Sequence, residues 1–274
     1  MLLGGFDGIR ATPMVKGDAK PILKILSLEK DVETIEKLSK AAYENLLVMY
    51  KQDKHTHLRS SQTCLKILSV LMTRYVNRNG SEVDRDWFIL SKGHAAPALY
   101  AVLAELGSIP KSELAKINTI GSLLQNHPEI SMPSVDVSTG SLGQGLSIGV
   151  GIAAWIKKAG GRGRVYVVVG DGEQDEGIVW EAITHAAALK LNNLIVIVDW
   201  NGFQLDGDTE EIKPKSYLPL VWKIVGWKVL WANGVDVVSL ITALEEAMDS
   251  DKPVVIFAQT RNAVESSGAI NNAH

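Results

Sequence analysis

The residues best suited to chemistry sit where two apolar runs stop. Val165 to Val169 is an unbroken apolar stretch that ends in Gly170-Asp171-Gly172, and Leu194 to Val198 ends in Asp199-Trp200-Asn201-Gly202-Phe203. Glycines on both sides of an aspartate let the backbone come close to a ligand, and a helix N-terminus behind the second glycine attracts anions. Yet the Asp171 carboxylate would repel a phosphate placed there. A divalent cation between the two removes the conflict, because Mg2+ or Ca2+ takes hard oxygen ligands. One run offers a carboxylate, the next a side-chain amide, and a backbone carbonyl can serve as a third ligand beside diphosphate oxygens and water. The competing account is an ordinary turn in which Asp171 caps a helix. No G-x-G-x-x-G opens this helix, which weakens a dinucleotide reading, and no Walker A sequence is present.

These runs need elements to hold them. Ile35, Leu38, Ala41, Ala42, Leu46 and Tyr50 recur at helical spacing and predict a helix over 32–50. A second helix is expected over 61–75, a short strand over 87–90, and an Ala-rich helix over 95–106 that Gly107 and Pro110 end. A small-residue helix follows over 145–158. Apolar runs then alternate with helices: strands over 165–169, 194–198, 226–231 and 253–258, helices over 178–191 and 238–248. Continuous apolar strands separated by helices are parallel strands covered on both faces. The expected fold is therefore a doubly wound, mostly parallel α/β sheet with helices on both faces, and ligands in such sheets sit at the carboxyl ends of the strands. Residues 1–28 show no clear periodicity and read as an N-terminal arm. Residues 29–274 read as a single diphosphate-binding domain, with no internal repeat.

Composition bounds the rest. With 274 residues, 46% hydrophobic and 22% charged, the chain can bury a large core. A net charge of -3 gives no electrostatic support to a nucleic-acid or anionic-membrane surface. The single cysteine, Cys64, allows no disulfide framework and is expected to be a small core residue. The first twenty residues carry too short an apolar stretch and too early an acid for a secretory signal. No run of about 18 apolar residues suggests a membrane span, so a cytoplasmic location is expected. Trp155, Trp180, Trp200 and Trp222 are candidates for core burial or for interface anchors.

Gly170-Asp171-Gly172 with Asn201 downstream resembles the thiamine diphosphate motif. Three further segments resemble the transketolase family in particular: Ser91-Lys92-Gly93-His94-Ala95, Asn126-His127-Pro128-Glu129, and Ser138-Thr139-Gly140-Ser141-Leu142-Gly143-Gln144-Gly145. Order and spacing agree over roughly residues 30 to 274. The resemblance implies that Asp171, Asn201 and the carbonyl of Phe203 hold Mg2+ or Ca2+, with Gly170 and the Gly172 N–H at the diphosphate of thiamine diphosphate. It implies that Gly140, Ser141 and Leu142 lie against the cofactor's pyrimidine, and that His57, His94 and His127 line the substrate channel, His94 also near the cofactor. Glu176 matches a family acid that links cofactor sites across a subunit interface, whereas Glu173 and Asp175 read as a solvated acidic face.

The activity so implied is two-carbon ketol transfer between sugar phosphates. The cofactor carries the hard step, and histidines, with a pKa near neutrality, move protons on the sugar oxygens. Full-length transketolases resemble this chain followed by a pyrimidine-binding domain and a C-terminal domain. The implied partner is a C-terminal subunit that supplies the glutamate activating the cofactor, in a heterotetramer, and the chain alone is expected to be catalytically incomplete.

Two stretches depart from the family pattern. Where the family has a segment like SGHPGGSLS, this chain reads Lys54 to Gln62, with His57 in place but Arg59 where a glycine stands. Arg59 either recognises an unusual substrate phosphate or marks a drifted site. A KGKG-like run is replaced by Gln259-Thr260-Arg261-Asn262-Ala263-Val264, and His274 matches a family histidine only by position near the end. A non-catalytic cofactor-binding paralogue, or another thiamine enzyme such as a 2-oxo-acid dehydrogenase component, is the alternative.

Overall fold

The computed structural model describes residues 19–265. The chain runs through α1 (Ala19–Gln52), α2 (Leu58–Val70), β1 (Trp87–Leu90), α3 (Ala96–Glu105), α4 (Gln144–Lys158), β2 (Val165–Gly170), α5 (Gly177–Ala188) and β3 (Leu194–Trp200). It continues through β4 (Phe203–Gln204), β5 (Gly207–Asp208), α6 (Thr209–Ile212), α7 (Leu218–Ile224), β6 (Lys228–Asn233), α8 (Val237–Met248), β7 (Val254–Gln259) and α9 (Arg261–Glu265). Five strands form one parallel sheet in the order β1-β2-β3-β7-β6, while β4 and β5 make a small antiparallel hairpin.

β1, β2, β3 and β7 have almost no polar side because both of their faces are covered, whereas β6 is a partly exposed edge strand. Phe88, Leu90, Tyr166, Val168, Ile195, Ile197, Val254 and Ile256 point into a core shared with α1, α2, α3 and α8. Their alternates, Ile89, Val165, Val167, Val169, Leu194, Val196, Val198, Val255 and Phe257, point into a second core with α4, α5 and α7. Successive side chains of a strand face opposite ways, so a run apolar at every position must fill two cores at once. The expected doubly wound α/β sheet is what forms.

Register then sets the site. Gly170 pairs with Asp199, and Trp200 with Gln259, while Ser91 N donates to Val168 O at 2.8 Å. The residues following β1, β2, β3 and β7 consequently emerge along one edge of the sheet.

Several boundaries differ from expectation. The helix expected from residue 32 starts at Ala19; Pro21 falls in its first turn, where a missing N–H costs no hydrogen bond. The helix expected over 61–75 starts at Leu58 and widens over Leu71–Tyr75, where Val76 N reaches back to Leu71 O. The strand expected from 226 begins at Lys228 instead, because Gly226 turns the chain at φ 112° and Lys228 N pairs with Pro253 O. Helix α9 had no sequence signal, and His274 lies outside the described residues. Among those residues no helix is long and apolar enough to cross a membrane.

Cys64 is fully buried, and burial pushes its thiol up to about 12, so it is the inert core residue expected. Trp222 is likewise core: it is shut off from solvent, stacks edge-on with Trp227, and donates to Gln174 Oε1 at 2.8 Å. Trp155 keeps 45% of its surface exposed.

Candidate active site

After β1 the chain turns into the layer of α3, and after β2 into the opposite layer of α5. A crevice at such a divergence is where open α/β sheets bind ligands. Asp171 follows β2 at this divergence, 1% exposed. Its Oδ1 accepts from Gly172 N at 2.8 Å and its Oδ2 from Gly202 N at 2.7 Å, which ties the end of β2 to the loop after β3. Burial, followed by the neighbouring Asp199 carboxylate, pushes Asp171 up to about 7 against the pull of those two N–H groups. Asn201 is buried beside it, its Oδ1 accepting from Phe203 N at 2.8 Å. A Cβ on Gly172 would lie 2.9 Å from Gln204 Cβ, so only glycine lets this turn close on the β4 hairpin.

This donor set fits a hard divalent cation. Carboxylate and amide oxygens have lone pairs beyond the ones used here, and a carboxylate this buried is stabilised by a hard cation. Among the described residues no group of three or more His, Cys, Asp or Glu side chains is placed to hold a metal. An ion at this position would therefore depend on Asp171 together with Asn201 and a carbonyl such as that of Phe203.

The acidic cluster after Asp171 is not a solvated face. Glu173 is 3% exposed. It accepts from Ser91 Oγ, from Gly143 N at 2.7 Å and from Gly170 N at 2.9 Å, joining β1, β2 and the glycine-rich loop. Burial raises its pKa, and those three donors work the other way. Asp175 is half-buried and paired with Lys215 at 2.7 Å, itself 1% exposed, and with Lys213 at 3.1 Å. Charged residues spaced along a short helical turn look exposed in sequence; here the turn is pressed against the sheet. Glu176 alone is exposed, at the position before α5.

The glycine-rich loop is fixed rather than loose. Gly143 takes φ 82°, and a Cβ there would meet Ile178 Cγ2 at 2.6 Å. A Cβ on Gly145 would meet Ser91 Cα at 2.7 Å, and one on Gly93 would meet Gly140 N at 3.0 Å. Backbone thus packs on backbone between the segment after β1 and this loop. Ser141 is exposed and Leu142 half-buried at its outer side.

The three histidines gather at this mouth. His94 Nε2 lies 2.8 Å from Ser60 Oγ, and the His57 ring stands edge-on to it at 5.2 Å. The exposed His127 ring covers Gly140: a Cβ there would lie 3.3 Å from its Cγ. Burial, then Lys92, His57 and His127, push His94 down to about 3; burial, His127 and Lys92 also lower His57. His94 is thus a neutral imidazole at ordinary pH.

Beneath lies a network that sequence reasoning missed. Lys92 and Asp199, 1% and 0% exposed, form an ion pair. Asp199 also accepts from Thr63 Oγ1 at 2.6 Å and from Thr260 Oγ1, and Asn201 Nδ2 lies 3.4 Å away. Burial works to lower the Lys92 pKa, but the Asp199 carboxylate overcomes it and holds the ammonium above its usual range. The sequence signals were indirect: Lys92 stands in the segment that carries His94, and Asp199 ends an apolar strand two residues before Asn201.

A parallel sheet whose carboxyl edge joins a buried acid, an amide and bare backbone defines an α/β domain of the kind that binds its ligand at the strand ends. Residues 47–274 match the family described as the transketolase, thiamine diphosphate binding domain, and the chain belongs to that family. It is 35% identical to one of the subunits of the apulose-4-phosphate transketolase of Phocaeicola vulgatus, over 84% of this chain and 83% of that one. It is 36% identical to the 6-deoxy-6-sulfo-D-fructose transketolase subunit SqwG of a Clostridium species, over 74% and 76%. Among solved structures, the transketolase of Leishmania mexicana superposes with a TM-score of 0.74 at 31% identity, covering 82% of this chain and 36% of that one.

Proposed function

We propose that this chain is the diphosphate-binding subunit of a split transketolase that carries out two-carbon ketol transfer between sugar phosphates. The carrying observation is Asp171: a carboxylate sealed at the end of β2, clamped by two backbone N–H groups, beside the amide of Asn201. Such a group would be favourable beside a divalent cation that neutralises it.

In this reading Asp171, Asn201 and the Phe203 carbonyl hold Mg2+ or Ca2+, and Gly170 and Gly172 bring backbone to the diphosphate of thiamine diphosphate. Bound there, the cofactor would supply the nucleophilic carbon and the electron sink that ketol transfer needs. Gly140, Ser141 and Leu142 face the pyrimidine side. Glu173 keeps that loop in place through Gly143. His94, neutral and paired with Ser60, is placed to hydrogen-bond a sugar hydroxyl, with His57 and His127 flanking it as the channel histidines.

The pyrimidine half falls to a partner. Two of the relatives above are named as subunits, and this chain aligns over 83% of one and 76% of the other. Both names also specify an anionic sugar, one a phosphate and one a sulfonate. We assign the partner as a C-terminal subunit with a pyrimidine-binding domain, in a heterotetramer where Glu176 faces the subunit contact.

The test mixes this chain with a candidate C-terminal subunit, thiamine diphosphate and Mg2+, and follows ketol transfer between sugar phosphates. Activity should require both chains. Asp171→Ala should retain its circular dichroism yet lose metal-dependent cofactor binding. Full cofactor binding by that variant would overturn the metal assignment, and turnover by this chain alone would overturn the split-enzyme reading.

A further inference from the structure

The two stretches that break the transketolase pattern meet at one side chain. Arg59, at the start of α2, places its guanidinium carbon 4.7 Å from the centroid of the Phe203 ring. Arg261, at the start of α9, places its own 4.9 Å from the same centroid. Nothing in their sequence separation suggests this. It follows from β7 lying beside β3, so that the chain leaving β7 runs past the loop that carries Phe203.

The two arginines are held differently. Arg261 donates to Asp208 at 2.8 Å, and its Nη1 fills the space over Gly202, where a Cβ would approach to 3.0 Å. Arg59 Nε, by contrast, is shut off from solvent and meets no acceptor among the described residues. The face of an aromatic ring attracts a guanidinium, which explains how two cations share one phenylalanine. It does not supply an acceptor for a buried N–H, and such a group calls for a partner.

Position says what kind of partner. Ser60, the next residue after Arg59, holds His94, and Phe203 contributes its backbone to the metal loop. Arg59 is thus one residue from the Ser60–His94 contact and rests on the ring of a residue whose backbone belongs to the turn holding Asn201. A planar guanidinium fork, weakly hydrated and always charged, matches tetrahedral oxyanions such as phosphate and sulfonate better than any other side chain does.

We propose that Arg59, steadied on Phe203 and seconded by Arg261, forms an oxyanion-binding site at the mouth of the active site. Two sources of that chemistry exist: the phosphate or sulfonate of a sugar substrate, and the cofactor's diphosphate. Choosing between them rests on the function proposed above; oxyanion binding does not.

The experiment titrates the full chain with sodium sulfate against sodium chloride at matched ionic strength, following the unfolding temperature and direct binding by calorimetry. Saturable stabilisation by sulfate is expected. Arg59→Gln should weaken it by about tenfold to a hundredfold, as for loss of a charge-assisted bond, Arg261→Gln by less, and Arg59→Lys should restore part of it. Circular dichroism confirms that each variant folds. If saturating thiamine diphosphate and Mg2+ abolish the sulfate response, the oxyanion belongs to the cofactor. If the response persists, it belongs to the sugar, and Arg59→Gln in the assembled enzyme raises KM for a phosphorylated ketose without changing it for the unphosphorylated one. An equal sulfate response in folded wild type and Arg59→Gln, or none in the wild type, overturns the proposal. Sulfate binding through Arg59 in this chain, together with failure of the complex assembled with its C-terminal partner to bind thiamine diphosphate, would leave it standing and remove the function proposed above.

Discussion

The Lys92 ammonium rests against the Asp199 carboxylate with both side chains closed off from solvent, and Ser60 O, Thr63 and Thr260 complete the surrounding shell. Four segments distant in sequence converge on this pair: the start of α2, the turn after β1, the end of β3 and the residue after β7. Removing one partner of a buried pair strands the other charge, at a cost of about 3–5 kcal/mol. Lys92→Met should lose stability on that scale in denaturant unfolding. The double variant Lys92→Met with Asp199→Asn should lose clearly less than the two single losses added; additivity would show that the pair is not coupled.

Glu173 makes a second prediction. Its carboxylate accepts from one hydroxyl and two backbone N–H groups. An amide in its place turns an N–H toward one of those donors. Glu173→Gln should cost about 1–3 kcal/mol and weaken cofactor binding by the assembled enzyme through the loosened Gly143 loop. Unchanged stability would mean that the carboxylate does not organise this loop.

Two glycines of α4 should respond in opposite directions. A Cβ on Gly145 would overlap Ser91 Cα at 2.7 Å, whereas one on Gly151 meets nothing within 4 Å. Gly145→Ala should destabilise by about 1–3 kcal/mol through overpacking. Gly151→Ala, on an exposed helical turn, should stabilise by about 0.5–1 kcal/mol by removing chain entropy from the unfolded state. Thermal unfolding of both variants decides the matter, and equal effects would refute the close contact.

His94 sets a pH dependence whose sign is fixed. Its pKa falls from the usual 6.5 to about 3 in the folded chain. The unfolded chain then binds the proton more tightly, so this contribution to stability is complete above about pH 6.5 and drains away as pH falls toward 3. Both wild type and His94→Asn lose stability in acid, but the wild type should lose more, so the gap between them narrows from pH 7 to pH 4. A constant gap in urea unfolding across that range would show that His94 is not held neutral.

Local rules made much of the site legible in the sequence. Asp171 between two glycines, ending an apolar run, is a statement about one turn. The need for glycine at Gly143 and Gly145 is not local in that way: it is set by Ile178 and Ser91, which only the folded chain brings against the loop. The apolar runs likewise carried the sheet and its two cores, since a strand covered on both faces leaves no polar period to misread.

Tertiary structure decided what depends on distant partners. Glu173 and Asp175 read as an exposed acidic run, but whether a carboxylate is solvated depends on what packs over it. Only the folded chain brings the Gly143 amide and the Lys215 ammonium there. Lys92 and Asp199 are far apart in sequence and pair because β1, β2 and β3 lie side by side in register. Arg59 and Arg261 meet at Phe203 for the same kind of reason: sheet order, set by how the crossovers cover the two cores, brings the end of β7 to the loop after β3.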